Sequence, residues 1–206
     1  MKLLIAIPTM DTVPVDFMKS LVNLTNRLKD DGVDFETCIE SGTLIYMARD
    51  RLASVAVNGD YTHVLWLDSD MVFEPEIFED LQFCGKDFVS GIAHGRRSPF
   101  LSCLFKNISL ESLQRWKLEE YPKEPFEVAG CGFACVLIKT SILRDVMQTC
   151  KTCFTPFLQY GEDLSFCKRA VTLGYKIFAE PAVRLGHVGH LTIYPDDCER
   201  FRDEIH

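Results

Sequence analysis

Residues 63–70 read HVLWLDSD, an apolar strand that ends in two carboxylates, Asp68 and Asp70. Because the acids are two residues apart, an extended chain presents them on the same side. Ligands of open α/β sheets bind beyond the carboxyl ends of the strands, where these acids emerge. Two repelling carboxylates favour a bound divalent cation. A solvated turn, or a cap for the helix after Pro75, is the alternative interpretation of the pair alone.

On the amino-terminal side of this stretch, strands alternate with helices. The apolar runs LLIAI (3–7) and FETCI (35–39) predict strands. Helical spacing from Phe17 through Met18 to Leu28, and again over 45–57, predicts the helices that follow them. Strands that are apolar on both faces and joined by helices predict a mostly parallel sheet flanked by helices, an α/β fold.

On the carboxyl-terminal side, the regular pattern is interrupted once. Residues 96–126 have little periodicity, which predicts an irregular excursion with a hairpin near FLSCLF (100–105). The run EVAGCGFACVLIK (127–139) predicts a strand pair or a bent strand. The remaining expected elements are helices at 76–83, at 140–147 and after Gly161, and strands at 87–92 and 176–180.

Bulk properties limit the possible functions. The 206 residues, 47% hydrophobic, predict one domain spanning residues 1–206. The net charge of −8 argues against a nucleic-acid backbone as partner. No apolar stretch approaches the roughly 20 residues that span a bilayer, so no transmembrane segment is expected. Most of the nine cysteines lie in apolar runs, which predicts reduced thiols in a cytoplasmic protein.

A second candidate segment is GHVGH, residues 186–190. Its glycines let the backbone place an imidazole close to a site. One histidine with carboxylate oxygens suits Mn²⁺ or Mg²⁺ better than structural zinc, and His187 is the expected ligand. A hydrogen-bonded surface histidine is the alternative.

A third candidate is the pair Glu162 and Asp163, which opens an amphipathic helix. Acids in a first turn favour the helix dipole in any case. A catalytic interpretation requires one carboxylate to face the crevice, where it takes a proton from an attacking acceptor hydroxyl.

Strand-DxD, a helix-opening ED pair and a late glycine-flanked histidine, in this order, resemble the GT-A glycosyltransferases. The resemblance is greatest to the family 2-like group and its small bacterial and phage members, and it spans nearly the whole chain. It implies a Rossmann-like nucleotide-diphospho-sugar transferase fold. It also implies metal-dependent transfer of a sugar from a UDP- or GDP-sugar to an unidentified acceptor, with inversion.

The resemblance also assigns roles to residues. Asp68, Asp70 and His187 would bind the metal, Mn²⁺ or Mg²⁺. Asp70 would be the direct ligand, and Asp68 would alternatively contact the ribose or a metal-bound water. Asp163 takes the role of general base, and Glu162 that of orienting the acceptor.

The resemblance also implies which residues bind the donor, beginning with those at the ends of the first two strands. Pro8, Thr9 and Glu40 lie where family members hold the nucleobase and ribose. Arg49 borders the nucleotide, with a surface arginine paired to Asp50 or Glu40 as its alternative. Arg97, in HGRR, is expected to contact the donor sugar or phosphate, and a solvated basic turn is the alternative. Gly132 is expected to line the pocket of the donor sugar, and a β-bulge is the alternative.

Two other functions remain as hypotheses. Nucleotidyl transfer would favour a glycine-rich, basic loop after the first strand, whereas residues 8–11 are PTMD. A non-catalytic nucleotide-sugar-binding module would have no need of a base such as Asp163. The second strand ends in ESG rather than an acidic pair, so the choice between UDP and GDP stays open.

Overall fold

The computed structural model describes residues 1–97 and 99–189 as a mixed α/β fold with a central sheet. The helices are α1 (Val15–Asp30), α2 (Ile45–Asn58), α3 (Ile77–Phe83), α4 (Thr140–Cys150) and α5 (Glu162–Thr172). The strands are β1 (Lys2–Pro8), β2 (Asp34–Glu40), β3 (His63–Leu67), β4 (Met71–Val72), β5 (Phe88–Ile92), β6 (Leu104–Ile108), β7 (Leu113–Arg115), β8 (Phe126–Val128), β9 (Gly130–Cys131), β10 (Cys135–Lys139), β11 (Ile177–Arg184) and β12 (Gly186–His187).

The central sheet has seven strands in the order β2-β1-β3-β10-β5-β11-β8. Strands β2, β1 and β3 pair in parallel, as do β5 and β11. Strand β10 runs antiparallel between β3 and β5, and β8 is antiparallel to β11. Five strands therefore share one direction, which confirms the expectation of a mostly parallel sheet.

Both faces of the sheet are covered by helices. Leu3, Ile5 and Ile7 of β1 belong to the core that includes residues of α1 and α3. Leu4 and Ala6, on the opposite face of the same strand, belong to the core that includes residues of α2, α4 and α5. The period of two in a strand thus divides one apolar run between two cores.

Two details of the predicted pattern were wrong. Met18 is 41% exposed, because only the stripe containing Phe17, Leu21, Leu24 and Leu28 faces the sheet. Strand β2 is not buried on both faces, since it is an edge strand paired with β1 alone.

The excursion of residues 96–126 contains the expected hairpin, formed by β6 and β7. The prediction for 127–139 was too simple, because this run forms three strands in two sheets. Strand β9 joins β6, whereas β8 and β10 enter the central sheet. Gly130 permits this crossing, since a Cβ there would lie 2.2 Å from Cδ1 of Ile108.

The described part of the chain has no helix that combines the length and the apolarity needed to cross a membrane. The eight cysteines within it, from Cys38 to Cys167, are free thiols. Burial raises the pKa of the Cys153 thiol to about 12, so Cys153 is an inert core residue although it forms a CxxC sequence with Cys150.

Candidate functional site

Asp68 and Asp70 lie in a tight turn at the carboxyl end of β3. The backbone N–H of Asp68 donates to the carbonyl of Ala134 at 3.0 Å, and that of Met71 donates to the carbonyl of Asp68 at 3.2 Å. These bonds fix the turn between β3 and β4. Both carboxylates therefore emerge at the edge of the sheet where ligands bind in open α/β folds.

His187 reaches this turn through a second pairing of strands. Strand β12 lies antiparallel to β4 with His187 opposite Met71, and Val188 N–H donates to the Asp70 carbonyl at 2.9 Å. The imidazole Nε2 lies 3.2 Å from Oδ2 of Asp70. The structure thus brings two of the three expected metal ligands into contact. The second histidine of GHVGH, His190, lies outside the described residues.

The hydrogen bond of the other ring nitrogen, Nδ1, orients the imidazole of His187. Nδ1 lies 2.9 Å from the carbonyl oxygen of His94. A carbonyl only accepts hydrogen bonds, so Nδ1 carries a proton and Nε2 is the ring nitrogen that faces the Asp70 carboxylate. An imidazole nitrogen and a carboxylate oxygen placed in this way suit a shared cation, and a backbone carbonyl commonly orients metal-binding histidines.

Arg96 also contacts Asp70. Its Nη1 lies 2.6 Å from Oδ2 of Asp70, the same oxygen that faces His187. Arg97 was the arginine of HGRR expected to contact the donor, but Arg97 is exposed and its neighbour Arg96 makes the contact with Asp70. An ion pair with an exposed arginine is weak and exchangeable.

Arg49 is buried beneath the carboxylates, with 2% of its side chain exposed. Its Nη2 lies 2.6 Å from Oδ1 of Asp68, and its Nε lies 3.6 Å from Oε1 of Glu162. Its guanidinium also lies over the ring of Phe133, with Cζ 5.3 Å from the centroid. A planar guanidinium suits this combination of ion pairing and stacking.

The alternative of a surface arginine paired with Asp50 or Glu40 was therefore wrong. Asp50 accepts hydrogen bonds from the backbone N–H groups of Cys153 and Phe154 instead. Glu40 forms an ion pair with Arg51.

A cleft of about 210 Å³ opens beside these residues. Its walls include Pro8, Thr9, Ile45, Arg49, Asp68, Asp70 and Glu162. Within the described residues, Oγ1 of Thr9 and both Nε and Nη1 of Arg49 are buried without a hydrogen-bond partner. Buried polar groups are seldom left unpaired, so these three atoms are free to bond to a ligand in the cleft.

Glu40, like Arg97 and Gly132, is an expected donor contact that does not line the cleft. Its carbonyl accepts the Thr9 N–H at 2.9 Å, so it supports the cleft through the backbone. Ile45 and Met10 line the cleft but were missed, because single apolar residues after a strand carry no distinctive signal.

The two acids that open α5 point to different places. Glu162 lines the cleft, whereas Asp163 lies beside Gly132, where a Cβ would be 3.6 Å from Oδ2 of Asp163. Gly132 N–H donates to the carbonyl of Cys103 at 2.8 Å, so Gly132 is held between Cys103 and Asp163. Gly132 therefore adjoins the candidate base rather than the cleft.

Burial changes the acidity of two carboxyls. It raises the pKa of Asp68, although the Arg49 guanidinium opposes this shift. Burial, with the neighbouring Glu162 charge, raises the pKa of Asp163 to about 6. A carboxylate with a raised pKa is a stronger proton acceptor than an ordinary one, and perturbed acids gather at functional sites.

In the described ranges, 1–97 and 99–189, no three His, Cys, Asp or Glu side chains are grouped so that they could hold a metal ion. Asp70 and His187 face each other, but Asp68 is turned toward Arg49. A cation at this position would need further oxygen ligands from a substrate or from water.

Solved structures share this fold. The protein A197 from STIV matches with a TM-score of 0.61 and 20% identity over 92% of this chain and 87% of that chain. The catalytic domain of Drosophila beta1,4galactosyltransferase 7, in complex with xylobiose, matches with a TM-score of 0.57 and 12% identity over 98% of this chain and 79% of that chain.

A mutant of the same Drosophila enzyme, in complex with manganese, UDP-Gal and xylobiose, matches with a TM-score of 0.51 and 14% identity over 98% and 79% of the two chains. No protein-family model and no curated protein matches the sequence. At such low identities the likeness establishes the fold alone, which is the GT-A fold of these galactosyltransferase domains.

Proposed function

We propose that residues 1–206 form a single-domain, metal-dependent glycosyltransferase that moves a sugar from a UDP- or GDP-sugar to an acceptor, with inversion. The main support is the convergence of Asp70, His187 and the Arg49–Asp68 pair at one rim of a GT-A sheet, although they are distant in sequence. A transferase that shares this fold was crystallised with manganese and UDP-Gal.

The residues present fit a divalent cation that arrives with its substrate. Nε2 of His187 and Oδ2 of Asp70 offer one nitrogen and one oxygen ligand, oriented by backbone hydrogen bonds. Mg²⁺ is usually held by one or two carboxylates together with substrate phosphates and water, and Mn²⁺ accepts the same ligands. Asp68 contributes directly or through a metal-bound water. When bound, the cation offsets the charge that develops on the departing nucleoside diphosphate.

The chain's own residues position the donor. Pro8 and Thr9 line the part of the cleft that would take the nucleobase and ribose, with Glu40 behind them. The unpaired Nε and Nη1 of Arg49 offer donors to an anionic or hydroxylated ligand. Arg96, which neutralises Asp70 in the free protein, would turn to the donor phosphates, with Arg97 beside it.

Asp163 takes the proton of the acceptor. As the acceptor oxygen bonds to the anomeric carbon of the donor, the bond from that carbon to the diphosphate breaks, and Asp163 removes the hydroxyl proton. Glu162 acts on the other side of the helix start, where it orients Arg49 and the bound substrate. Gly132 leaves room beside the Asp163 carboxylate.

Calorimetric titration with UDP, GDP and CDP, with and without Mn²⁺, tests this function. We expect binding of one nucleoside diphosphate that improves at least tenfold with Mn²⁺. Absence of any metal-dependent nucleotide binding would overturn the proposal. Product analysis with the matching nucleotide sugar then distinguishes transfer from the two alternative functions. Release of pyrophosphate from a nucleoside triphosphate would indicate nucleotidyl transfer, and binding without turnover would indicate a non-catalytic module.

A further inference from the structure

A second depression is lined by Arg96 and His187, the two residues whose side chains contact Asp70. A hollow of about 380 Å³ is lined by His94, Arg96, Phe100 and His187, among others. It adjoins another hollow of about 400 Å³, whose walls include Ser102, Trp116 and Leu118. The two share His94 and Phe100 in their walls, so they adjoin as one groove that begins at His187, one of the candidate metal ligands.

The two ends of this groove differ in chemistry. The near end carries the polar groups of His94, Arg96 and His187. The far end presents mainly apolar side chains to solvent, with Leu101 51% exposed and Leu118 59% exposed, and Lys117 is the one charged residue among the described residues of its lining. Exposed apolar residues that cluster in a concave surface mark binding sites more often than scattered ones do.

Phe100 joins the two ends and is held in an unusual conformation. Its side chain is 61% exposed and its backbone φ is +51°, a value that bulky residues seldom adopt. Its N–H donates to the Arg97 carbonyl at 2.8 Å. The chain therefore keeps an aromatic ring in solvent at the junction of the groove, in a backbone conformation that carries a cost.

One residue of the groove wall is linked through its neighbours to the candidate base. Ser102 lines the groove and accepts a hydrogen bond from the hydroxyl of Tyr121 at 2.6 Å. The next residue, Cys103, lies against Gly132, and Gly132 adjoins Asp163. Ser102 lines the far end, so this end of the groove is linked through Cys103 and Gly132 to the neighbourhood of Asp163.

We propose that this groove binds the acceptor, and that the acceptor is an amphipathic glycoside. Its hydroxylated sugar occupies the near end beside His94, and its apolar aglycone lies along Phe100, Trp116 and Leu118. This inference rests on the proposed function for the direction of transfer, but the binding of the glycoside does not depend on it.

Two matched probes test the inference, namely methyl and octyl β-D-glucopyranoside, both kept below the micelle threshold of the octyl compound. They share one sugar and differ only in the aglycone. Calorimetry measures both affinities, and intrinsic fluorescence reports the place of binding. Of the two tryptophans, Trp66 is fully buried and Trp116 lines the groove. We expect the octyl glycoside to bind at least tenfold more tightly and to change a signal that Trp116→Phe removes.

Variants locate the site. Leu118→Ser should weaken octyl binding at least threefold and leave methyl binding unchanged, whereas Leu110→Ser should change neither, because Leu110 is 58% exposed in the same excursion but does not line the groove. Phe100→Gly should act like Leu118→Ser, and it folds readily because glycine favours positive φ. Equal affinity for the two probes, no binding of the octyl probe, or equal losses in the two leucine variants would overturn the inference.

A separate titration with nucleoside diphosphates and Mn²⁺ distinguishes this failure from failure of the proposed function. Nucleotide binding without octyl-glycoside binding would reject the groove and leave the transferase proposal intact. Octyl-glycoside binding without nucleotide binding would reject the transferase and leave the groove as an amphiphile site.

Discussion

Nε2 of His187 lies 3.2 Å from Oδ2 of Asp70, although 117 residues separate them in the chain. Backbone hydrogen bonds hold this contact, through the pairing of β12 with β4 and the bond from Val188 N–H to the Asp70 carbonyl. The two side chains are therefore positioned before any ligand binds, which lowers the cost of assembling a site.

This contact predicts that His187→Ala and Asp70→Asn each weaken Mn²⁺-dependent nucleotide binding at least tenfold, because each removes one of two preorganised ligands. Calorimetry with the preferred nucleoside diphosphate measures the effect. Asp80→Asn, which changes an exposed acid on α3, is the matched control and should bind normally. Full Mn²⁺ dependence in both site variants would show that the ion binds elsewhere.

The base assignment predicts a selective loss of turnover. Asp163→Asn should lower the transfer rate about 10²–10⁴-fold, the usual contribution of a general base, and leave donor affinity within twofold. Single-turnover assays with separate donor titrations make the distinction. Unchanged turnover in the variant would remove Asp163 from the mechanism.

The pH profile provides an independent check. Asp163 accepts a proton only when it is ionised, and its pKa is raised to about 6. In the wild type, kcat/KM should therefore fall tenfold per pH unit below about 6 and level off above it. An acid limb near the ordinary carboxyl value of 3.8 would contradict the buried environment described for this group.

The same raised pKa has a consequence for stability. The folded protein binds the Asp163 proton more tightly than the unfolded chain does, so ionisation of this group destabilises the fold as pH rises from 3.8 to about 6. Asp163→Asn avoids that cost. The variant should have a higher Tm than the wild type above pH 6, and the difference should vanish below about pH 4. Thermal unfolding at pH 4 and 8 measures both, and a gain that is equal at the two values would reject the linkage.

Arg49 and Arg51 allow a comparison within one helix. Arg49→Ala should lower the free energy of unfolding by about 3 kcal/mol, because it leaves Asp68 and Glu162 without their buried partner. Arg51→Ala should cost less than about 1 kcal/mol, since its ion pair with Glu40 lies at the surface. Urea denaturation measures both, and equal losses would show that burial of Arg49 adds no stability.

Gly132 allows a steric prediction in which a second substitution should restore the activity lost by the first. Gly132→Ala would place a Cβ 3.2 Å from Cβ of Cys103 and 3.6 Å from Oδ2 of Asp163, so turnover should fall severalfold while nucleotide binding persists. Adding Cys103→Gly removes the closest contact and should restore most of the activity. If the double variant were no better than the single one, crowding against Cys103 would not be the cause.

Most of the fold could be predicted from local patterns. The strand His63–Leu67 was predicted with its observed bounds, and the start of α2 at Ile45 was also correct, because apolar period and length are properties of neighbouring residues. The antiparallel insertion of β10 between β3 and β5 was not predicted. Strand order depends on which strands pair although they are distant in sequence. A buried apolar run has the same hydrophobic pattern in a parallel and in an antiparallel strand.

The sequence by itself determined the kinds of groups available, namely two acids after a buried strand, an acidic helix start and a late histidine between glycines. Only the tertiary structure decided how they are arranged. It turned Asp68 onto a buried Arg49, set Asp70 against His187, and separated Glu162 in the cleft from Asp163 beside Gly132. Residue chemistry and period are local, whereas the direction and partner of a carboxylate depend on long-range pairings such as β4 with β12.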